Sequence, residues 1–160
     1  MTKKINRKFL IYILIFIFLI LIATFIIEYK LNYQPCNLCL YERIPYFLSI
    51  LLIIKILFVK SFQKLTLFIL FLTFLISSVL GFYHFGIEQG FFNESFVCKT
   101  DNFSENLTKE ELLEALKLNT VSCKDVSFRI LGFSLAAINT IFSLFLSVIF
   151  TRLFLNYENN

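Results

Sequence analysis

FLIYILIFIFLILIATFII, residues 9–27, runs for nineteen residues without a charge. At about 1.5 Å of rise per residue, a helix of that length nearly matches the roughly 30 Å hydrocarbon layer of a bilayer. Reading it as a membrane span decides the fold. Lys3, Lys4, Arg7 and Lys8 precede it with no acid among residues 1–8, and no small-x-small cleavage pattern stands before Glu28. A retained first helix is therefore expected rather than a removed signal peptide.

The rest of the chain has the same character. Of its 160 residues, 58% are hydrophobic and 22 are phenylalanine, far outside soluble globular composition. Three more apolar runs follow, at 40–59, 65–87 and 130–150. The expectation is an all-α membrane protein, a four-transmembrane-helix bundle forming a single integral membrane domain over 1–160. The net charge of +4 does not point to nucleic acid, because the basic residues sit at the ends of apolar runs rather than in a stripe with interleaved aromatics. The lipid bilayer is the expected partner.

Within the runs, Pro45 belongs in the first turn of a helix, so the second helix is expected to become regular only after residue 40. Lys55 stands near the far end of its run, where it can snorkel toward Lys60 and Lys64. Ser77, Ser78 and Gly81 on the third run permit close helix approach, as does a stripe of Gly132, Ala136, Thr140, Ser143 and Ser147 on the fourth.

Basic residues set the orientation. The amino-terminal tail, the turn at 60–64 and the start of the carboxy-terminal tail at Arg152 carry the cations, and four passes bring all three to one side. By the positive-inside rule that side is cytoplasmic, with both termini. The connections 28–39 and 88–129 then lie outside, and they hold all four cysteines, Cys36, Cys39, Cys98 and Cys123. An oxidising face is where cysteine pairs persist. In the longer connection, Thr108 followed by Glu111, with leucines at 107 and 112, marks the start of a short amphipathic helix in the second outer loop.

Cys36 and Cys39 form a Cys-x-x-Cys pair, which fits a redox couple or an inert structural link. Arg43 follows Cys39 by four residues, so on a helical turn both project from one face. A guanidinium and a positive helix end favour the thiolate there, which predicts a low-pKa, reactive Cys39. Cys98 and Cys123, with 24 residues between them, fit a loop-closing disulfide worth about 3 kcal/mol in the chain-entropy view. Zinc held by all four cysteines is the other arrangement, but the second pair is too widely split for a structural zinc site, so no metal is expected.

Pro35-Cys36-Asn37-Leu38-Cys39-Leu40-Tyr41-Glu42-Arg43 resembles a motif of the bacterial disulfide bond formation protein B (DsbB) family. So do Tyr83-His84-Phe85-Gly86-Ile87-Glu88-Gln89-Gly90 leading to Cys98, and Cys123 followed by Phe128 and Leu131-Gly132-Phe133-Ser134-Leu135. The resemblance covers essentially the whole chain. It implies an inner-membrane oxidase that recharges a periplasmic DsbA-like thiol oxidase and hands the electrons to the membrane quinone pool, ubiquinone or menaquinone. By the same resemblance Cys98 is the sulfur attacked by the reduced partner, Cys123 passes the reducing equivalents to Cys36, and Cys39 is left beside the quinone with Arg43 helping to hold it. His84, the only histidine, is implied beside a quinone oxygen. The residues alone leave two other readings open: a thiol oxidoreductase that uses no quinone, and a non-catalytic scaffold braced by disulfides. The chain departs from many relatives in having no tryptophan and in placing Arg129 after Phe128.

Overall fold

The structure, a computed structural model, describes residues 6–59, 61–93, 98, 123–124, 129–130 and 132–157. Five helices and one two-stranded hairpin occur among them: α1 Arg7–Lys30, α2 Asn37–Tyr41, α3 Ile44–Phe58, α4 Gln63–Glu88, β1 Arg129–Ile130, β2 Phe133–Ser134 and α5 Leu135–Leu155. The amphipathic helix expected from residue 107 lies outside the described residues.

Among the described residues three helices, α1, α4 and α5, are long and apolar enough to cross a membrane. The expected first run at 9–27 extends at both ends, because Asn6 caps α1 by accepting from the Lys8 amide and Lys30 sits in the last turn, where a cation suits the negative helix end. The third run, expected at 65–87, likewise grows to Gln63–Glu88.

The second run differs most from expectation. Instead of one helix over 40–59, the chain makes the five-residue α2, a corner at Glu42 and Arg43, and then the fifteen-residue α3. Pro45 is the physical reason. It has no N–H to give the carbonyl of Tyr41, and its ring would collide with that carbonyl. α2 ends at Tyr41, and α3 opens with Pro45 in its first turn.

The fourth run, expected at 130–150, becomes helical only at Leu135. Before it, Arg129 pairs with Ser134 and Ile130 with Phe133 in an antiparallel hairpin that turns at Gly132, where φ is +89°. Gly132 thus belongs to a turn that favours glycine and not to the helix stripe. Ser134 closes the hairpin and caps α5, accepting from the Ala137 amide at 3.2 Å.

The helices pack up and down. At one end Arg7 Nη2 donates to the Leu57 carbonyl at 3.3 Å, Gln63 Nε2 to the Ile56 carbonyl at 3.2 Å, and the Tyr157 hydroxyl to Gln63 Oε1 at 3.3 Å. The cysteine-bearing segments gather at the other end. Between the ends, Leu10, Ile17, Ile53, Leu67, Leu70, Phe74, Leu146 and Phe150 form the core, with the Phe74 and Phe150 rings stacked 5.6 Å apart. Leu51, Phe58, Val79 and Ile141 point outward and are well exposed, as expected of side chains that face lipid.

α4 and α5 share the most extensive contact. The small residues expected to serve it do so: Ser77 Oγ meets Ser143 Oγ at 3.0 Å, and Ser78 donates to the Thr140 carbonyl at 3.4 Å. A Cβ on Gly81 would stand 2.7 Å from Thr140 Oγ1.

Candidate active site

Cys36 is the residue from which α2 begins, and its sulfur accepts the Cys39 amide N–H at 3.2 Å. That turn brings the two sulfurs of the pair within 2.6 Å of each other, within reach of a disulfide. From α4, His84 Nε2 reaches Cys36 Sγ at 3.5 Å. Cys98 and Cys123 form a disulfide with Cα atoms 5.4 Å apart. Both are buried in one cluster with Cys36, Leu38 and Ile87, and Cys39 packs against it. Two cysteine pairs separated by many residues in sequence thus share one buried place.

Beside this cluster lies a cavity of about 240 Å³. Its walls are mostly aliphatic and aromatic, including Ile20, Ile27, Ile138 and Phe142, and its polar points include Cys36, Cys39, Cys123, Arg43, His84 and Glu88. The expected site residues therefore line one space, except Cys98, which stands behind Cys123 as its disulfide partner.

Arg43 takes a different partner from the one expected. Its Nη1 donates to Glu28 Oε2 at 2.5 Å, and its guanidinium carbon lies 5.3 Å from the centre of the Phe25 ring. The Cys36–Cys39 pair is polarised in the reverse sense to the sequence expectation. A hydrogen bond from the Cys39 thiol, joined by the hydrogen bond and charge of His84, holds Cys36 well below the ordinary thiol range, against the opposing effect of burial. Cys39 is pushed up, first by its hydrogen bond to Cys36, then by burial and the nearby Cys36 and Glu42 charges. The cation assigned to Cys39 is held by Glu28, and the histidine faces the other sulfur.

Sequence reasoning missed three members of this site. Glu42, which stands in the Cys-x-x-Cys-bearing motif without a role of its own there, is buried and receives His84 Nδ1 on Oε1 at 2.9 Å and Asn139 Nδ2 on Oε2 at 2.9 Å. Tyr46 in turn donates to Asn139 Oδ1 at 2.6 Å. Asn139 carried a legible signal, since an amide in an apolar run is expensive in a membrane unless it is bonded. His84 lies near the end of α4 where the cysteines gather, and its hydrogen bonds go to protein groups. Glu88 Oε1 is 3.8 Å from His84 Nε2, and Glu88 Oε2 is buried without a partner among the described residues.

Cys36, Cys39 and His84 also bring three donor atoms within 4.8 Å of one another, three-quarters of a tetrahedral metal set. The four-cysteine arrangement is not available here, because the sulfurs of Cys98 and Cys123 are bonded to each other.

A family model described as "Disulfide bond formation protein DsbB" matches residues 6–153. An uncharacterised protein of Rickettsia prowazekii (strain Madrid E) is 32% identical over 161 residues, covering 99% of this chain and 93% of that protein. No solved structure matches the chain.

Proposed function

Because the chain belongs to the disulfide bond formation protein DsbB family, which links it to disulfide bond formation at a membrane, we propose that it is a membrane thiol:quinone oxidoreductase. It reoxidises a periplasmic DsbA-like dithiol oxidase and passes the electrons through its two cysteine pairs to a membrane quinone. The observation that carries this reading is the burial of Cys36, Cys98 and Cys123 in one cluster beside a cavity that Cys39 also lines. In this reading α3, with the α2 corner, makes the fourth pass, the termini are cytoplasmic, and the cysteine-bearing segments face the periplasm of a bacterial inner membrane.

A thiolate of the reduced partner attacks Cys98 Sγ, forming a mixed disulfide, and the Cys98–Cys123 bond breaks with the electron pair leaving on Cys123. Cys123 attacks Cys36 of an oxidised Cys36–Cys39 bond, and Cys39 leaves as the thiolate. The partner's second thiol then releases Cys98. Once Cys36 is bonded to Cys123 it no longer holds the Cys39 proton through a thiol–thiolate contact, which removes the largest influence that raises Cys39.

A quinone, when bound, supplies a sink for two electrons and two protons. The cavity fits such a group: it is smaller than pockets that enclose a whole drug-sized molecule, about 300–1,000 Å³, and suits a single ring with its tail in lipid. Arg43, anchored by Glu28, retains guanidinium donors for a ring oxygen at the wall.

Full-length protein purified in detergent is given a reduced dithiol oxidase and a quinone, and quinone reduction is followed. Serine at any one of Cys36, Cys39, Cys98 and Cys123 is expected to stop turnover. Full turnover by a Cys36→Ser, Cys39→Ser double variant overturns the reading. Thiol oxidation without any dependence on quinone favours a relay to another membrane protein, and cysteines that stay oxidised when the acceptor is limiting favour a scaffold.

A further inference from the structure

The polar side chains behind Cys36 form one hydrogen-bonded run that crosses three helices. His84 on α4 bonds Glu42 at the α2–α3 corner, Asn139 on α5 bonds the other Glu42 oxygen, and Tyr46 on α3 bonds Asn139. Ser143 lies 3.1 Å from the Tyr46 hydroxyl, and Ser77 lies 3.0 Å from Ser143.

The chemistry of each group assigns the protons. A carboxylate only accepts, so His84 Nδ1 and Asn139 Nδ2 both donate to Glu42, one to each oxygen. Asn139 Oδ1 is then the acceptor for Tyr46. With its proton committed on Nδ1, neutral His84 presents the Nε2 lone pair to Cys36 Sγ. A nucleophile, a base within reach of it, and a third group orienting the base are the parts of an activated thiol.

The run is anchored rather than open-ended. Beyond Ser77, the next hydroxyl on α4, Thr73, is bonded to its own helix at the Ile69 carbonyl at 2.8 Å. Among the described residues no bond carries the run farther toward the other end. Its inner members thus hold the outer ones in place, and the Tyr46 ring is braced edge-on against Phe74 with centroids 5.7 Å apart.

We infer that Glu42 and His84 form a proton-transfer relay for Cys36, and that Asn139 and Tyr46 are positioning residues that hold Glu42 in it. The proton of Cys36 Sγ passes to His84 Nε2, the sulfur keeps the electron pair as a thiolate, and Glu42 steadies the imidazolium through Nδ1–H. No electron changes hands in this step. The reverse transfer returns the proton when Cys36 is freed from a disulfide. The inference rests on the proposed function in one respect, that closing the cycle breaks the Cys36–Cys123 bond by attack of Cys98 on Cys123, with Cys36 leaving as the thiolate.

The charges that face His84 come from several elements. Cys36 and Cys39 stand on the α2 side, Glu42 at the corner, and Glu88 one turn along α4, with Arg129 of β1 near Glu88. β2 contributes the neutral Ser134 and α5 the neutral Asn139, and Glu28 of α1 is engaged by Arg43.

The test is a pH titration of the ultraviolet thiolate absorbance in full-length Cys39→Ser protein, which keeps a hydroxyl donor beside Cys36 and leaves it the one free thiol outside the Cys98–Cys123 disulfide. In that background Glu42→Gln, Asn139→Ala and Tyr46→Phe are each expected to raise the Cys36 midpoint, Glu42→Gln by about one pH unit, a tenfold loss of thiolate below the midpoint. Tyr46→Phe keeps the ring and its packing and removes only the hydroxyl, so it reads positioning even where Asn139→Ala does not fold. An unmoved midpoint in folded Tyr46→Phe and Glu42→Gln proteins, with helix content unchanged by circular dichroism, overturns the relay. No quinone or partner is present in the titration, so this failure is distinct from a failure of quinone reduction.

Discussion

Arg43 Nη1 sits 2.5 Å from Glu28 Oε2, tying the end of α1 to the corner between α2 and α3. Both side chains are mostly buried, at 14% and 20% exposure. Each would otherwise be an uncompensated charge at the wall of the cavity. The pair thus has a structural task, fixing the corner that follows the Cys39-bearing α2, in addition to any contact with a bound ring.

Glu28→Gln is expected to destabilise the protein by about 2 kcal/mol, between an exposed pair at about 0–1 and a fully buried one at about 3–5. Arg43→Met combined with Glu28→Gln should cost less than the sum of the two changes, because neither leaves a lone charge. Unfolding in detergent, run as a double-mutant cycle, measures this. Strict additivity would show that the two side chains do not act as a pair.

The polarity of the Cys36–Cys39 pair sets the direction of a pH dependence. A Cys36 held below the ordinary thiol range is already ionised at neutral pH, and it takes up a proton as pH falls through its lowered value. Where thiol exchange at Cys36 limits turnover, the rate should be flat from about pH 7 to 9 and fall on acidification. An ordinary thiol, with a pKa of about 8.5, would instead gain close to tenfold per pH unit over the lower part of that range. In the reduced state the same group stabilises the fold at pH above its unfolded value, and that contribution is lost as pH falls through the folded one. Initial rates of partner oxidation across this range decide the matter. A rate that climbs steadily toward pH 9 would contradict the assignment.

Much of this architecture is legible in residue order because its causes are local. The apolar runs, the helix-breaking effect of Pro45 and the small residues at 77, 78, 81, 140 and 143 act through length, backbone chemistry and size, which spacing displays. The corner at Glu42 and Arg43 could be read from Pro45 only as a delayed helix start, not as a separate turn of helix holding Cys36 and Cys39. Partner choice is a different matter. Arg43 and Cys39 stand four residues apart, yet Arg43 goes to Glu28, brought back by antiparallel packing. Glu42 and Asn139 are 97 residues apart and Tyr46 and Asn139 are 93 apart, so their bonds follow from how three helices register. That register depends on α4 and α5 approaching closely at Gly81.

At Gly81 a side chain has almost no room. A Cβ there would meet Thr140 Oγ1 at 2.7 Å, Asn139 Nδ2 at 3.1 Å and the Thr140 backbone nitrogen at 3.2 Å. Thr140 cannot swing away freely, because its hydroxyl donates to the Ala136 carbonyl at 2.8 Å. Gly81→Ala should therefore push α5 away from α4 and cost about 1–3 kcal/mol, the usual range for overpacking. It should also weaken the Asn139–Glu42 bond and slow turnover more than its effect on stability alone accounts for. Gly90→Ala is the contrasting case: φ is +79° and nothing lies within 4 Å of the added Cβ. Its cost, about 1 kcal/mol, comes from backbone strain alone, and it should leave the rate per folded molecule unchanged. Unfolding free energies and turnover of the two variants separate these effects, and equal rates per folded molecule would show that close helix approach at Gly81 does not position the site.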